Sequence, residues 1–206
     1  MSNIKNIINT IPNNVTLVAA TKYVDSAKMK ELFDNGINNF GENRVDSFLT
    51  KYVELLDYDI HWHFIGHLQR NKAKFVVDKI EYLHSLDSLE LAKMIDKLRD
   101  EPLKCFIEVN INEEESKNGV RVEDLEHFIS EVINYKNVEI VGFMCMTVKE
   151  SIDKYEQFLR LSNLMKEMNE KYHLDMKDMS MGMSDDYKEA IKAGSTFVRL
   201  GRILWM

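Results

Sequence analysis

The chain has 206 residues, is 45% hydrophobic and carries 34 acidic against 27 basic side chains, a formal net charge of −7. That length suits one domain with a sizeable core, and the acidic balance argues against a nucleic-acid backbone or an anionic membrane as partner. No run approaches the roughly 18 apolar residues of a membrane span, and the opening MSNIKNIINTIPNN has no basic and then apolar leader pattern, so a cytoplasmic protein with a small ligand is expected.

Only Pro12 and Pro102 interrupt the chain as prolines and no Gly/Ser-rich linker appears, so residues 1–206 read as one domain. Short β-rich runs alternate with helical patterns. VTLVAATK (15–22) precedes a helical 25–35, INNFGEN (37–43) precedes 44–56, and HWHFIG (61–66) precedes 70–78. EYLHSLD (81–87) leads to 88–99, where Leu91, Met94, Ile95 and Leu98 fall at i, i+3, i+4 and i+7. LKCFIEVNI (103–111) leads to 122–134, VEIVGFMCM (138–146) to 151–171 and DMSMG (178–182) to 185–193, and TFVRLG (196–201) closes the series. Eight such units predict an α/β fold, a single (β/α)8 TIM-type barrel. An open doubly wound sheet is the competitor, but no G-x-G-x-x-G follows the first strand. Too few residues follow Gly201 for a last helix, so an extra N-terminal helix within 2–11 is expected to cover that gap. Cys105 and Cys145 lie in apolar runs and read as reduced core residues.

A barrel gathers its functional groups at the C-terminal ends of the strands. The first strand ends in Thr21-Lys22 after a wholly apolar run. A lysine desolvated there loses its proton more easily and can form a Schiff base; the alternative is a strand-end lysine reaching solvent. The loops after the last two strands bring Ser180, Gly182, Gly201 and Arg202, small or cationic groups that suit a phosphate. Two ordinary tight turns would read the same way. Asp185 and Asp186 are expected to cap the helix that follows and to repel a phosphate placed directly on them. An amine and a phosphate pocket in one mouth together suggest a phosphorylated aldehyde. Arg199 either pairs with a carboxylate or stands against a pyridine nitrogen, where a permanent cation discourages ring protonation and weakens the ring as an electron sink.

ATK with Lys22, FGENRV (40–45), HWHFIGHLQRNK (61–72), VNINEEESKNGV (109–120), GFMCM (142–146), SMGMSDD (180–186) and AGSTFVRLGR (193–202) follow one another in the order seen in a known family. Over nearly its whole length the chain resembles the pyridoxal phosphate homeostasis proteins, the YggS/PROSC family. The resemblance implies a barrel similar to the N-terminal domain of alanine racemase, with pyridoxal 5′-phosphate held as an aldimine on Lys22. It also implies Asn43 near the cofactor, Ser180, Gly201 and Arg202 on the phosphate, and Arg199 at the pyridine nitrogen. Such proteins bind and buffer the cofactor in vitamin B6 homeostasis without an established turnover, with PLP-dependent apoenzymes as acceptors, and the resemblance leans toward a monomer. Two departures stand out: His67 replaces the usual proline of the I-G-P-L-Q motif, and the chain stops at Met206 where relatives continue, with Trp205 in the place of a phenylalanine.

Two rival readings share parts of this pattern. A PLP-dependent amino-acid racemase would use the same barrel and lysine, but it needs a second acid/base that racemases of this type draw from a further domain. A metal-dependent hydrolase is suggested by His61, His63 and His67, since i and i+2 share a strand face, but it needs ligands from other strands. The methionines of DMKDMSMGM (175–183) are read as core filler, with an adaptable contact surface as the alternative, and the charged run 112–116 as solvated surface.

Overall fold

A computed structural model describes residues 3–113, 118–147 and 153–205; most of the charged run 112–116 lies outside them. Eight parallel strands close into a ring. They are β1 (Thr16–Ala20), β2 (Asn39–Glu42), β3 (His61–Phe64), β4 (Tyr82–Leu86), β5 (Leu103–Asn110), β7 (Val138–Met144), β8 (Asp178–Ser180) and β9 (Phe197–Leu200). Each pairs with the next, β4 joins β5, β5 joins β7, and β9 returns to β1 with Val18 opposite Arg199. A two-residue strand not expected from sequence, β6 (Val120–Arg121), pairs with the end of β5 outside the ring. The chain therefore has the (β/α)8 barrel, and every strand predicted from sequence is one of its staves.

The strands are apolar on both faces because helices cover the outside and side chains fill the inside. The outer layer holds α1 (Asn3–Ile8), α2 (Ser26–Asp34), α3 (Val45–Glu54), α4 (Leu89–Leu98), α5 (Leu125–Val132), α6 (Lys154–Tyr172) and α7 (Tyr187–Lys192). Phe40, Phe48, Phe64 and Phe158 are buried between the layers, and each such phenylalanine stabilises the fold by about 2 kcal/mol. Met176, Met179 and Met181 are buried with them, so core filling accounts for most of that methionine-rich stretch.

Between β3 and β4 the expected helix is only a 3-10 segment, Arg70–Phe75. Within it Ala73 is buried, and Val76 and Val77 are buried just past its end, together too short a stripe to hold a full helix against the sheet. At the other end of the chain, α1 packs against the terminal 3-10 turn Arg202–Leu204, with Ile4 and Leu204 both buried. The N-terminal helix thus stands where an eighth barrel helix would.

Inside the ring, Val18, Phe106, Met144 and Phe197 form a small plug, with the Phe106 and Phe197 rings edge to face at 5.2 Å. The buried polar groups His63, His84, Ser180, Glu108 and Arg199 accompany this plug.

Candidate functional site

Beyond the plug, the C-terminal ends of β1 and β9 and the turn after β8 enclose a cavity of about 300 Å³. Lys22 and Tyr23 enter it from β1, Arg199, Gly201 and Arg202 from β9, and Met183, Ser184 and Asp185 from the turn. Three cationic side chains (Lys22, Arg199 and Arg202) therefore face one carboxylate (Asp185), a charge balance that attracts an anion.

Lys22 is exposed, with Nζ 5.0 Å from the centroid of the Tyr23 ring. The burial expected from the preceding apolar run stops at Thr21, since β1 ends at Ala20 and Lys22 projects past the ring of strands. What fixes it is the residue before it. The Thr21 hydroxyl donates to Glu42 Oε1 at 2.6 Å, and Lys51 Nζ donates to the Thr21 carbonyl at 2.7 Å and to Glu42 Oε1 at 2.5 Å. The Ser47 hydroxyl donates to Glu42 Oε2 at 3.2 Å, so β1, β2 and α3 meet in one buried knot directly below Lys22.

Arg199 is 5% exposed, and each acceptor bound to its guanidinium is a neutral oxygen. Nη1 donates to the Ser180 carbonyl at 2.7 Å and to Ser180 Oγ at 2.5 Å, and Nη2 donates to the Cys145 carbonyl at 2.9 Å. Of the two sequence readings for Arg199, pairing with a carboxylate is not the arrangement found. Ser180 is fully buried and does not line the cavity. Here it supports Arg199, and among the described residues the serine lining the cavity is Ser184, four residues on.

Gly201 forms part of the cavity wall, where an added Cβ would lie 3.3 Å from the Ala20 carbonyl oxygen and 3.5 Å from the Trp205 ring. Gly182 makes the turn into Met183 at φ +92°, and a Cβ there would meet Ala190 at 2.7 Å. Asp185 and Asp186 differ from expectation. Helix α7 starts at Tyr187, and Asp186 makes no side-chain hydrogen bond that caps it. Asp186 turns back instead, accepting from the Met183 N–H at 2.7 Å and the Thr147 hydroxyl at 2.8 Å, with Lys154 Nζ at 3.4 Å. Asp185 pairs with Arg202, both oxygens 2.8 Å from Nη2. At 61% exposure on each side that pair is worth no more than about 1 kcal/mol, so an incoming phosphate competes for Arg202. Asp185→Asn is accordingly expected to raise affinity for inorganic phosphate about threefold; calorimetry showing unchanged or weaker binding would mean that Asp185 does not compete.

Asn43 lies outside this cavity, in one of about 190 Å³ with Arg44, His67, Gln69 and Lys72. The pairing of Ala20 with Gly41 nevertheless means that Asn43, just past the end of β2, follows on beside Lys22, just past the end of β1. Its Oδ1 is buried and has no hydrogen-bond partner among the described residues. His61, His63 and His67 go separate ways, to Glu81, to His84 and Asn39, and to Asp87. Among the described residues no three His, Cys, Asp or Glu side chains are placed to hold a metal. Cys105 and Cys145 are buried and free, and burial pushes the Cys145 thiol up to about 12.

Sequence reasoning missed Glu108. Burial first, then the charge of Asp87, push its carboxyl up to about 7, against the opposing pull of Arg199 and His67. The available signal was parity: Glu108 lies two residues from Phe106 on β5, hence on the inward face.

His63, by contrast, is lowered to about 3 by burial and then by His61. Its folded-state value lies below its ordinary 6.5, so the unfolded chain takes the proton first. Stability supplied by neutral His63 is present above pH 6.5 and is lost as pH falls toward about 3. Glu108 acts oppositely between 4.5 and about 7, its contribution falling as pH rises. His63→Phe is expected to flatten the acid loss of stability by up to about 1.4 kcal/mol per pH unit. Urea unfolding of both proteins from about pH 6 to about pH 4 measures it, and parallel curves would contradict a neutral buried imidazole.

All 206 residues match the family model described as alanine racemase, N-terminal domain, which defines the class of barrel. The solved alanine racemase of Clostridium difficile superposes with a TM-score of 0.81 at 14% identity, over 98% of this chain and 57% of that one, a likeness of fold. Over 205 residues the sequence is 38% identical to the pyridoxal phosphate homeostasis protein of Synechocystis sp., covering 97% of this chain and 94% of the relative. PipY of Synechococcus elongatus, solved with PLP bound, superposes with a TM-score of 0.92 at 27% identity over 99% of this chain and 98% of that one. The chain belongs to the pyridoxal phosphate homeostasis protein family. The residues present fit that ligand: a lysine amine, two arginines, a glycine wall and the unpartnered Asn43 oxygen one strand away.

Proposed function

We propose that this protein binds pyridoxal 5′-phosphate reversibly at the barrel mouth and takes part in intracellular vitamin B6 homeostasis as a carrier, without turnover of its own. The observation that carries the reading is the convergence of Lys22, Arg199, Gly201 and Arg202 on one cavity. When bound, the cofactor supplies an aldehyde carbon that an amine can attack and a ring that can draw off electrons. Lys22 Nζ is the amine. Arg202, the Gly201 backbone and the Ser184 hydroxyl hold the phosphate, and Asn43 lies on the Lys22 side. Arg199 faces the pyridine nitrogen and, as a buried cation, offers that nitrogen no proton. A ring left unprotonated is a weak electron sink, which suits storage better than amino-acid chemistry.

The cytosol, a monomeric state, a single barrel domain over 1–206 and PLP-dependent apoenzymes as acceptors complete the reading. Among the described residues no helix is long and apolar enough to cross a membrane. A racemase-like enzyme is the second reading, and its support is the shared barrel together with Glu108 as a buried acid/base. Titration with PLP followed by absorbance, beside an alanine racemisation assay and transfer to a PLP-free aminotransferase, tests the proposal. Expected are a visible band distinct from free cofactor, no inversion of alanine, and activation of the acceptor. Sustained inversion lost in Glu108→Gln would reverse the assignment in favour of the enzyme.

A further inference from the structure

The groups behind Arg199 form one hydrogen-bonded chain through the barrel core. Arg199 Nη1 donates to Ser180 Oγ at 2.5 Å, Ser180 Oγ lies 2.7 Å from His84 Nδ1, and His84 Nε2 lies 2.9 Å from His63 Nδ1. His63 Nε2 then lies 3.0 Å from Asn39 Oδ1. Both ends have fixed polarity. A guanidinium can only donate. At the far end Asn39 Nδ2 donates to Asn38 Oδ1 at 2.9 Å, which leaves Asn39 Oδ1 as an acceptor.

With neutral rings, one proton arrangement satisfies every member. Asn39 Oδ1 takes the hydrogen of His63 Nε2, which leaves His63 Nδ1 bare to accept from His84 Nε2–H. His84 Nδ1 is then bare and accepts from the Ser180 hydroxyl, whose lone pairs face Arg199. His63, His84 and Ser180 are all fully buried, so water is not a substitute partner. Protonating His84 would strand the Ser180 hydrogen and set a second cation behind Arg199. Burial, then the charges of His63 and Arg199, lower His84 well below its ordinary value, in keeping with a neutral ring. The rings are also held in rotation: Tyr82 stacks on His63 at 4.8 Å, and Phe106 lies 4.5 Å from His84.

We propose that His84, with His63 behind it, is a positioning residue for Arg199: neutral Nε2–H tautomers of both rings hold the Ser180 hydroxyl with its lone pairs toward the guanidinium, and so fix the direction of Arg199 in the cavity. The consequence for the cofactor rests on the reading of Arg199 given above; the chain of tautomers does not.

Nitrogen-15 NMR of the cofactor-free protein tests the chain first. Both imidazoles should show a protonated Nε2 and a bare Nδ1, and the Arg199 Nη hydrogens should exchange slowly. His84→Phe and, as a smaller change, Ser180→Ala should speed exchange of the Nη1 hydrogen that meets Ser180 Oγ, while those on the Ser180 and Cys145 carbonyls stay protected and the thermal transition remains cooperative. A proton on Nδ1 of either ring, or equal Arg199 protection in both variants, overturns the proposal. PLP titration then closes a double-mutant cycle: His84→Phe should weaken binding about tenfold alone and have no added effect beside Arg199→Gln, whereas additive losses would reduce His84 to general packing. A wild type that binds no PLP would overturn the binding assignment, and the NMR arms would still decide the tautomer chain.

Discussion

Lys22→Ala is expected to abolish the mass increase that borohydride reduction fixes on the protein in the presence of PLP. Among the described residues Lys22 is the one primary amine lining the cavity, and the neighbouring Lys51 is committed to Thr21 and Glu42. With the lysine removed, only phosphate and ring contacts remain, and affinity should fall at least about a hundredfold, roughly 3 kcal/mol. Arg202→Ala is the informative companion. It should weaken binding about tenfold yet leave the trapped mass intact, because the reacting amine is untouched. Intact-mass spectrometry followed by peptide mapping reads both variants. A trapped cofactor that persists in Lys22→Ala on another lysine would move the site elsewhere on the barrel, and equal loss in both variants would make the phosphate contacts a precondition for reaction.

The barrel was legible because its signal is repetitive. Each of the eight runs is bounded by turn residues and all but the last are followed by a helical pattern, so an error in one unit, such as the 3-10 segment at Arg70–Phe75, leaves the architecture unchanged. The site was legible where it depends on strand ends alone. Arg199 lies near the end of β9, Gly201 and Arg202 follow it directly, and Lys22 lies just past the end of β1, the neighbouring strand in the ring. Where Ser180 sits was not legible for a three-dimensional reason: it is the last residue of β8, paired with Phe197 of the plug, and it is the turn beyond Gly182 that lines the cavity. Asp185 was misread because its partner Arg202 is distant in sequence, and local spacing favours a cap over an ion pair. Likewise nothing in the spacing of His63, His84 and Ser180 announces that they touch, since their contact depends on three strands closing around one axis.

The knot under Lys22 makes a prediction that couples stability to the site. Lys51 is 7% exposed and Glu42 is fully buried, so Lys51→Met leaves a buried carboxylate facing only the Thr21 and Ser47 hydroxyls. Breaking one side of such a pair costs about 3–5 kcal/mol, and the urea midpoint should fall accordingly. Glu42→Gln alone strands the Lys51 ammonium instead, whereas the double variant removes both charges and should recover most of the loss. Lys51→Met also removes one of two donors to the Thr21 carbonyl, leaving the Val24 N–H at 3.1 Å, and Thr21 is the last fixed point before Lys22. Lys51→Met should therefore slow the borohydride-trapped reaction with PLP even where the protein remains folded, while a core substitution of equal cost on the far side of the barrel, such as Ile129→Ala in α5, should not. If the two variants lower the trapping rate equally, the knot acts on stability alone and Lys22 owes its placement to the strand.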